Sequence, residues 1–543
     1  MHKIKKILCF AMSVLMLISF STPLMAEAHD DQGFLAYNND RGERIGGSLP
    51  VISARLTLSA DTWNADFAEA TKRIDVQSNA AWTASSNVSW LSTSNSLLPG
   101  TNNGQLRINI TDNTTGNART GIITVSTSGV GRVRETITVT QAPAPNDYPI
   151  VFIHGFLGWG PGQMGPFNYW GGLTNNIPRY LTNRNFPSYE AVVGPISSNR
   201  HRAIELYYFL KGGQVDYGAL LSETHGHYYR YGRYFDTPLV EGWGVDDGVR
   251  VHLVGHSKGG TTARELANLI AYGCPAEIEH AARTGAHISD LLAGNSTGEI
   301  HSITTIATPN SGSTLFDAHN HLTLTTEFLG GVATAFGAMP LLRELYDFRL
   351  DHFGLTRAPG QSWRSYLDTI YRSGIWGSEA LAMNSASVEA VINNRNMRTL
   401  PDIYYFSHSV QATQERSTLL TGNMIPGTNP LLHITGNAMY RYRNPYSTPR
   451  IDDSWAHNDG FVNVISMGAP FSTDSFEHRS QPYSGNPVRG EWNEHPLMHD
   501  WDHLEIVGLI VPVCPIRAFQ RETDIRQFYL DMARRLHALP GGR

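Results

Sequence analysis

Three patterns of hydrophobic and polar positions succeed one another along the chain. A short apolar run over residues 7–20 follows His2, Lys3, Lys5 and Lys6. Residues 51–142 then alternate apolar with polar side chains, as at Leu106, Ile108 and Ile110 or Ile123 and Val125, in short runs divided by Ser, Thr, Asn and Gly. Such alternation puts one face of each strand on a core and the other in water, and it predicts an all-β sandwich. From residue 148 the runs become mostly apolar stretches, at 148–153, 249–254, 302–307 and 403–406, separated by helical periodicity. Strands buried on both faces and joined by helices make a mostly parallel sheet, so the larger part of the chain is predicted to be α/β.

Boundaries follow from the same pattern. The first run, with the small residues Ala26 and Ala28 after it, predicts an export signal over 1–28 and a flexible segment over 29–50. No comparable apolar run recurs, and Cys9 lacks the context for lipidation. Trp82, Trp90 and Leu91 are candidate core residues of the sandwich over 51–142. Pro143 and Pro145 mark a stiff linker over 143–147, and the α/β domain occupies 148–543. A net charge of −6 with no basic run beyond the signal argues against nucleic acid as a partner. Cys274 and Cys514 permit one disulfide in an exported chain and require none.

The chemistry centres on two GxSxG matches. Ser257 follows the apolar run 249–254 and precedes helical periodicity over 261–270, so Gly255 and Gly259 flank a tight strand-to-helix bend that raises its hydroxyl. The second match, Gly294 to Gly298 around Ser296, lacks a preceding strand pattern and reads as a loop serine. The Lys258 amide, opening the helix, and the Phe156 amide, in the loop after the strand 148–153, are candidate oxyanion donors. Hydrolases with this bend order their triad as nucleophile, acid, base, which points to Asp459 in a turn and then His503. A competing arrangement puts His495, His499 and His503 on one metal-binding helical face, but Pro496 opposes a helix there.

Residues 148–536 resemble the secreted lipases of thermophilic bacilli and staphylococci, α/β-hydrolases. The match runs through Ile150 to Phe156, Tyr169 to Gly172, Val193 to Asn199, Thr305 to Pro309, Tyr346 to Asp351, Leu420 to Gly422, Asn458 to Gly460 and Asp502 to Glu505. It implies the triad Ser257, Asp459 and His503 with Phe156 and Lys258 as oxyanion donors. The family usually has Ala where this chain has Gly255, a change that leaves the turn viable. Residues 51–142 resemble BACON, an immunoglobulin-like module, in their Trp90-Leu91 pair, Arg119 to Val125 strand and terminal Gln141. That likeness implies carbohydrate or mucin as a partner, or a passive spacer, the reading preferred here since Trp63 serves equally as a core residue.

The lipase resemblance also implies metals. The family holds a structural zinc between two His and two Asp; His227 and Asp351 match, His201 takes the place of the other Asp, and Leu221 replaces the other His. With His225 as substitute, the expected set is His201, His225, His227 and Asp351. For calcium, Gly427 and Glu505 match but Ile510 stands where the family has an aspartate, so weak or absent binding is expected. Residues 314–342, with Leu322, Leu324, Phe328 and Val332, correspond to a mobile apolar lid. The expected function is an exported lipase acting on acylglycerol esters at a lipid–water interface, without an organic cofactor. A short-chain carboxylesterase or phospholipase is the alternative, and a glycan-binding protein with a vestigial hydrolase domain a more distant one.

Overall fold

The computed structural model describes residues 53–541, apart from 99–101, 114–117, 130, 144–145, 245–248, 297–298, 319–345, 383–385, 389–390, 392–396, 474–475 and 510–514. The export signal, the segment 29–50, most of the lid region, Ile510 and Cys514 lie outside the described residues.

The sandwich is built from β1 (Leu56–Leu58), β2 (Thr62–Ala65), β3 (Ala70–Ser78), β4 (Trp82–Ser86), β5 (Leu91–Leu97), β6 (Gly104–Ile110), β7 (Arg119–Thr127) and β8 (Arg134–Gln141). One sheet has the order β1-β3-β6-β5 and the other β2-β8-β7-β4, antiparallel except for the β2–β8 pair. Alternation in the sequence becomes alternation in burial: Leu106, Ile108, Ile123, Val125, Ile137 and Val139 are enclosed, and their neighbours face water. Trp82 and Leu91 fill the core, with the Trp82 indole N–H donating to the Asn102 carbonyl at 2.9 Å. Trp90 is half-buried beneath the Arg119 guanidinium, 4.4 Å from its ring.

The remainder comprises β9 (Ile150–Ile153), β10 (Ser188–Ala191), a ribbon of β11 (Gly213–Asp216) with β12 (Tyr231–Phe235), then β13 (Val251–His256), β14 (Ile300–Ile306), β15 (Tyr404–His408), β16 (Val410–Gln411), β17 (Thr413–Thr418), β18 (Gly422–Met424), β19 (Ser480–Pro482), β20 (Trp492–Glu494) and β21 (Met498–His499). Seven strands form one sheet in the order β10-β9-β13-β14-β15-β20-β19, and every pair in it is parallel. Successive residues feed opposite faces. Ile150 and Phe152 join the core against helix Pro515–His537 through Ile525 and Tyr529, while Val151 and Ile153 join the one beneath helices Asn199–Lys211 and Lys258–Tyr272. The strands expected from the sequence, β9, β13, β14 and β15, are four of the five inner ones, and the three-residue β20 is too short to show as a run. β10 and β19 are short, polar edge strands that need little apolar surface, so hydrophobic pattern does not announce them.

Candidate active site

Ser257 lies at the carboxyl end of β13, a central strand of the parallel sheet, and Asp459 and His503 lie in turns outside that sheet. Ser257 connects β13 to helix Lys258–Tyr272 with φ +54° and ψ −129°, a strained conformation for a residue with a Cβ. Its N–H donates to the Ile306 carbonyl on β14 at 2.9 Å, and its own carbonyl accepts the Gly260 N–H at 3.1 Å. The glycines around it are steric necessities. A Cβ at Gly255 would lie 2.2 Å from Gly260 N and 2.3 Å from Gly259 C, and one at Gly259 would lie 2.1 Å from the Ile153 carbonyl oxygen. With Gly255 in place of the family's usual Ala the bend is formed, and in this chain the helix lies so close to the strand that a Cβ at 255 would require it to shift. Ser296 is exposed in a loop and donates to the Glu299 carboxylate, far from any such bend.

Asp459 and His503 come together 44 residues apart in sequence. The His503 Nδ1–H donates to Asp459 Oδ2 at 2.6 Å, while Oδ1 accepts the Phe461 and Val462 amides at 2.9 and 2.8 Å. A fully buried carboxylate held on three sides fixes the proton on Nδ1 and leaves His503 Nε2 as the basic nitrogen. The His503 ring centroid lies 4.6 Å from that of His256, the residue before Ser257, and 5.1 Å from that of Phe461. Next to His503 in the chain, buried Asp502 accepts amides from Asn429, Leu504 and Glu505 at 2.8, 2.9 and 2.8 Å. Burial, reinforced by the nearby Asp459 charge, lifts the Asp502 carboxyl above its usual range in spite of these bonds.

The loop after β9 is held from three directions. Buried His154, pushed down to about 3 by burial and then by the Arg202 charge, is neutral; its Nδ1–H donates to the Gly155 carbonyl at 3.0 Å and Nε2 accepts the Val193 amide at 3.4 Å. The Gly155 N–H donates to the Tyr169 hydroxyl at 2.9 Å, which donates to His256 Nδ1 at 2.6 Å. Fully buried Arg202 donates to the His154 carbonyl, to the Gly155 and Gly194 carbonyls at 3.4 and 2.8 Å, and to Thr262 Oγ1 on the Ser257 helix at 2.9 Å. Phe156 and Lys258, which carry the candidate oxyanion amides, line one cavity with Ser257, Phe316 and Phe461. The Lys258 ammonium is tied to Asn199 Oδ1 at 2.8 Å and burial lowers its pKa.

The competing metal face does not form. His495 follows β20 and stacks on His408 with centroids 4.0 Å apart, exposed His499 belongs to β21, and no helix joins them to His503.

A different histidine cluster forms at the first turn of helix Asn199–Lys211, which carries His201. His201, His227 and His352 offer ligand nitrogens that all lie within 4.8 Å of one another, with His201 Nε2 2.8 Å from His227 Nε2. The His225 ring stacks on His201 at 5.2 Å. Buried nitrogens without hydrogen-bond partners are His225 Nδ1, His227 Nδ1 and both of His352, so this donor set fits a metal ion. Burial, with neighbouring imidazole charge, holds His201 and His352 well below their usual pKa and His227 down to about 4, which keeps their lone pairs available. Asp351, expected as a ligand, is not brought to the cluster. Its carboxylate pairs with Arg233 at 3.4 Å, beside the Arg233–Asp347 pair, and in the tight 3-10 turn Asp351–Phe353 its neighbour His352 faces inward instead. Of the calcium candidates, Gly427 sits at φ +96°, and the Glu505 carboxylate lies 3.9 Å from the Arg521 guanidinium, a charge that disfavours a second cation there. Cys274 is a buried thiol near Arg200.

Arg202, Tyr169, His256, Asp502 and His352 were not identified from the sequence. Asp502, His352 and His256 each adjoin a residue that was, and Tyr169 opens a stretch named in the resemblance, whereas Arg202, beside His201, carried no signal of its own.

Residues 80–142 match the BACON family model. A lipase of Staphylococcus epidermidis is 32% identical over 374 residues, 68% of this chain and 51% of that protein; lipase 1 of Staphylococcus aureus is 33% identical over 375 residues, 68% and 52%. The chain thus spans about half the length of the curated relatives it matches. Among solved structures, EstA from Clostridium botulinum superposes with TM-score 0.65 at 35% identity, covering 73% of this chain and 88% of that one. Staphylococcus hyicus lipase gives TM-score 0.61 at 32% identity, with 74% and 98% covered. A family model described as lipase-like, C-terminal domain, matches residues 146–538, and the chain belongs to that family.

Proposed function

We propose that this protein is an exported lipase that hydrolyses acylglycerol esters through an acyl-serine intermediate. One observation carries the reading: a serine at positive φ on a strand-to-helix bend, with an imidazole–carboxylate pair 2.6 Å apart held against the preceding residue. Ser257 Oγ attacks the ester carbonyl carbon as its proton passes to His503 Nε2, and Asp459 stabilises the resulting imidazolium. The carbonyl oxygen, now negative, accepts hydrogen bonds from the Phe156 and Lys258 amides. His503 returns the proton to the departing alcohol, then deprotonates a water that attacks the acyl carbon, and Ser257 is released with the fatty acid. The names of the relatives and the apolar cavity walls at Phe156, Phe316 and Phe461 support acyl substrates. Hydrolysis of 4-nitrophenyl esters and emulsified triacylglycerol by wild type and Ser257→Ala tests this. A loss of about 10⁴-fold or more in the variant is expected, and full retention refutes the triad. Activity confined to short soluble esters would make the protein a carboxylesterase.

The reading extends to a zinc ion held by His201, His227 and His352 with His225 nearby, joining three chain segments; a bound ion there would supply structural cross-linking remote from Ser257. The sandwich acts as a spacer, in keeping with half-buried Trp63 and the covered ring of Trp90. Export rests on the signal-like pattern of residues 1–28.

A further inference from the structure

The hairpin of β17 and β18 and the helix that follows it leave an apolar surface in water. Leu419 and Leu420 at the hairpin tip are 103% and 91% exposed, Ile434 on helix His433–Arg441 is 77% exposed, and Leu431 just before it is 62% exposed. Leu419, Leu420 and Ile434 line one open groove with Ala438, joining tip and helix, and His433, Asn437 and Arg441 add polar side chains to the same groove. Between Arg416 and Arg441 the sequence contains no Asp, Glu, Lys or Arg. An uncharged stretch of this length with four aliphatic side chains turned outward is what an apolar phase tolerates, because any ionised group carried into it would lose its hydration.

Its position gives the patch a use. The buried side of the same segment packs on the turns that carry Asp459 and His503: Leu432 clusters with Phe461 and Leu504, a Cβ on Gly460 would lie 2.7 Å from Leu432 Cβ, and Asn458 Nδ2 donates to the Gly436 carbonyl at 3.1 Å. Met439 packs with Leu315, Phe316 and Phe461, and both phenylalanines also line the Ser257 cavity. Leu432, next in sequence to exposed Leu431, thus packs against the neighbours of Asp459 and His503.

We propose that Leu419, Leu420, Leu431 and Ile434 form a docking platform that seats the enzyme on the apolar surface of aggregated acylglycerol. Contact there sets the Ser257 cavity beside the interface, so ester groups reach it without crossing water. This rests on the lipase reading above and adds the surface that meets the substrate phase.

The test separates docking from chemistry. In a Ser257→Ala background, binding to a triolein emulsion stabilised with phosphatidylcholine is measured by flotation, with and without Leu419→Ser/Leu420→Ser and Leu431→Ser/Ile434→Ser. Each pair is expected to weaken binding by at least tenfold, since each aliphatic side chain removed costs about tenfold in transfer. In the active enzyme the same changes should leave kcat/KM on 4-nitrophenyl butyrate, below its solubility limit, within twofold, and lower emulsion hydrolysis by tenfold or more. Unaltered flotation overturns the proposal. So does parallel loss on the soluble ester, which would make these residues supports of the site, or a wild-type dimer in sedimentation velocity that the variants dissolve, which would make a second copy the occupant. Failure of the lipase reading looks different: wild type would float with the emulsion and hydrolyse neither substrate.

Discussion

Arg202 is the sharpest point at which to perturb the site, because it touches neither the nucleophile nor the cavity yet joins the oxyanion loop to the Ser257 helix. In Arg202→Met, the His154 and Gly194 carbonyls lose the guanidinium that bonds them, whereas Gly155 O keeps the His154 Nδ1–H at 3.0 Å and Thr262 Oγ1 keeps the Lys258 carbonyl at 3.0 Å. Two orphaned buried carbonyls cost about 1 to 3 kcal/mol each. Against this, methionine no longer buries a cation whose pKa burial has already drawn down to about 10. The net expectation is a loss of about 2 kcal/mol of stability, small enough to leave the protein folded.

Activity should suffer more than stability. A Phe156 amide freed to drift by about 1 Å loses most of its hold on the oxyanion, which amounts to a kcat about 10²-fold lower with KM for a soluble ester nearly unchanged. Arg202→Lys keeps the charge but lacks the planar fork that spans several acceptors, so it should recover only part of kcat. Steady-state hydrolysis of 4-nitrophenyl butyrate beside urea unfolding of each variant is the assay. If folded Arg202→Met turns over within twofold of wild type, the clamp does not position the oxyanion amide and the account of this loop is wrong.

Asp459→Asn should fold and lose about 10⁴-fold in kcat, since an amide oriented by the Phe461 and Val462 N–H groups cannot hold the proton on His503 Nδ1; steady-state kinetics with a retained melting curve checks this. Metal analysis after dialysis should return about one zinc per chain for wild type and much less for His352→Ala, whereas Asp351→Asn should keep its metal; zinc retained in His352→Ala and lost in Asp351→Asn would restore the carboxylate as the ligand. Acid should destabilise the fold: His154 and His301, both buried and both pushed to about 3, stay neutral when native but bind protons when unfolded below the ordinary value of 6.5, so stability falls as pH drops through the window from 6.5 to about 3. These two alone give about 2.7 kcal/mol per pH unit near pH 5, and a urea midpoint unchanged between pH 7 and pH 5 would contradict it.

What could be read from the sequence follows from how far each signal reaches along the chain. Ser257 was legible because strand, bend and helix are contiguous, and the glycines that permit the bend adjoin the serine they serve. Asp459 and His503 were legible through their order after the nucleophile, although nothing local showed that the Phe461 and Val462 amides would orient the acid. Arg202 was invisible because a buried arginine on a helix otherwise reads as surface charge; its acceptors come from three separate segments that only the packed sheet brings together. The histidine cluster marks the boundary between the two cases. His227 followed from the resemblance and His225 from its place two residues away, but Asp351 pairs with Arg233 while the adjacent His352 joins the cluster. Sequence spacing locates such a turn to within a residue, and only the surrounding charges decide which of two neighbours faces the centre, so exchanging Arg233 for an uncharged residue should change the ligand set without altering any ligand.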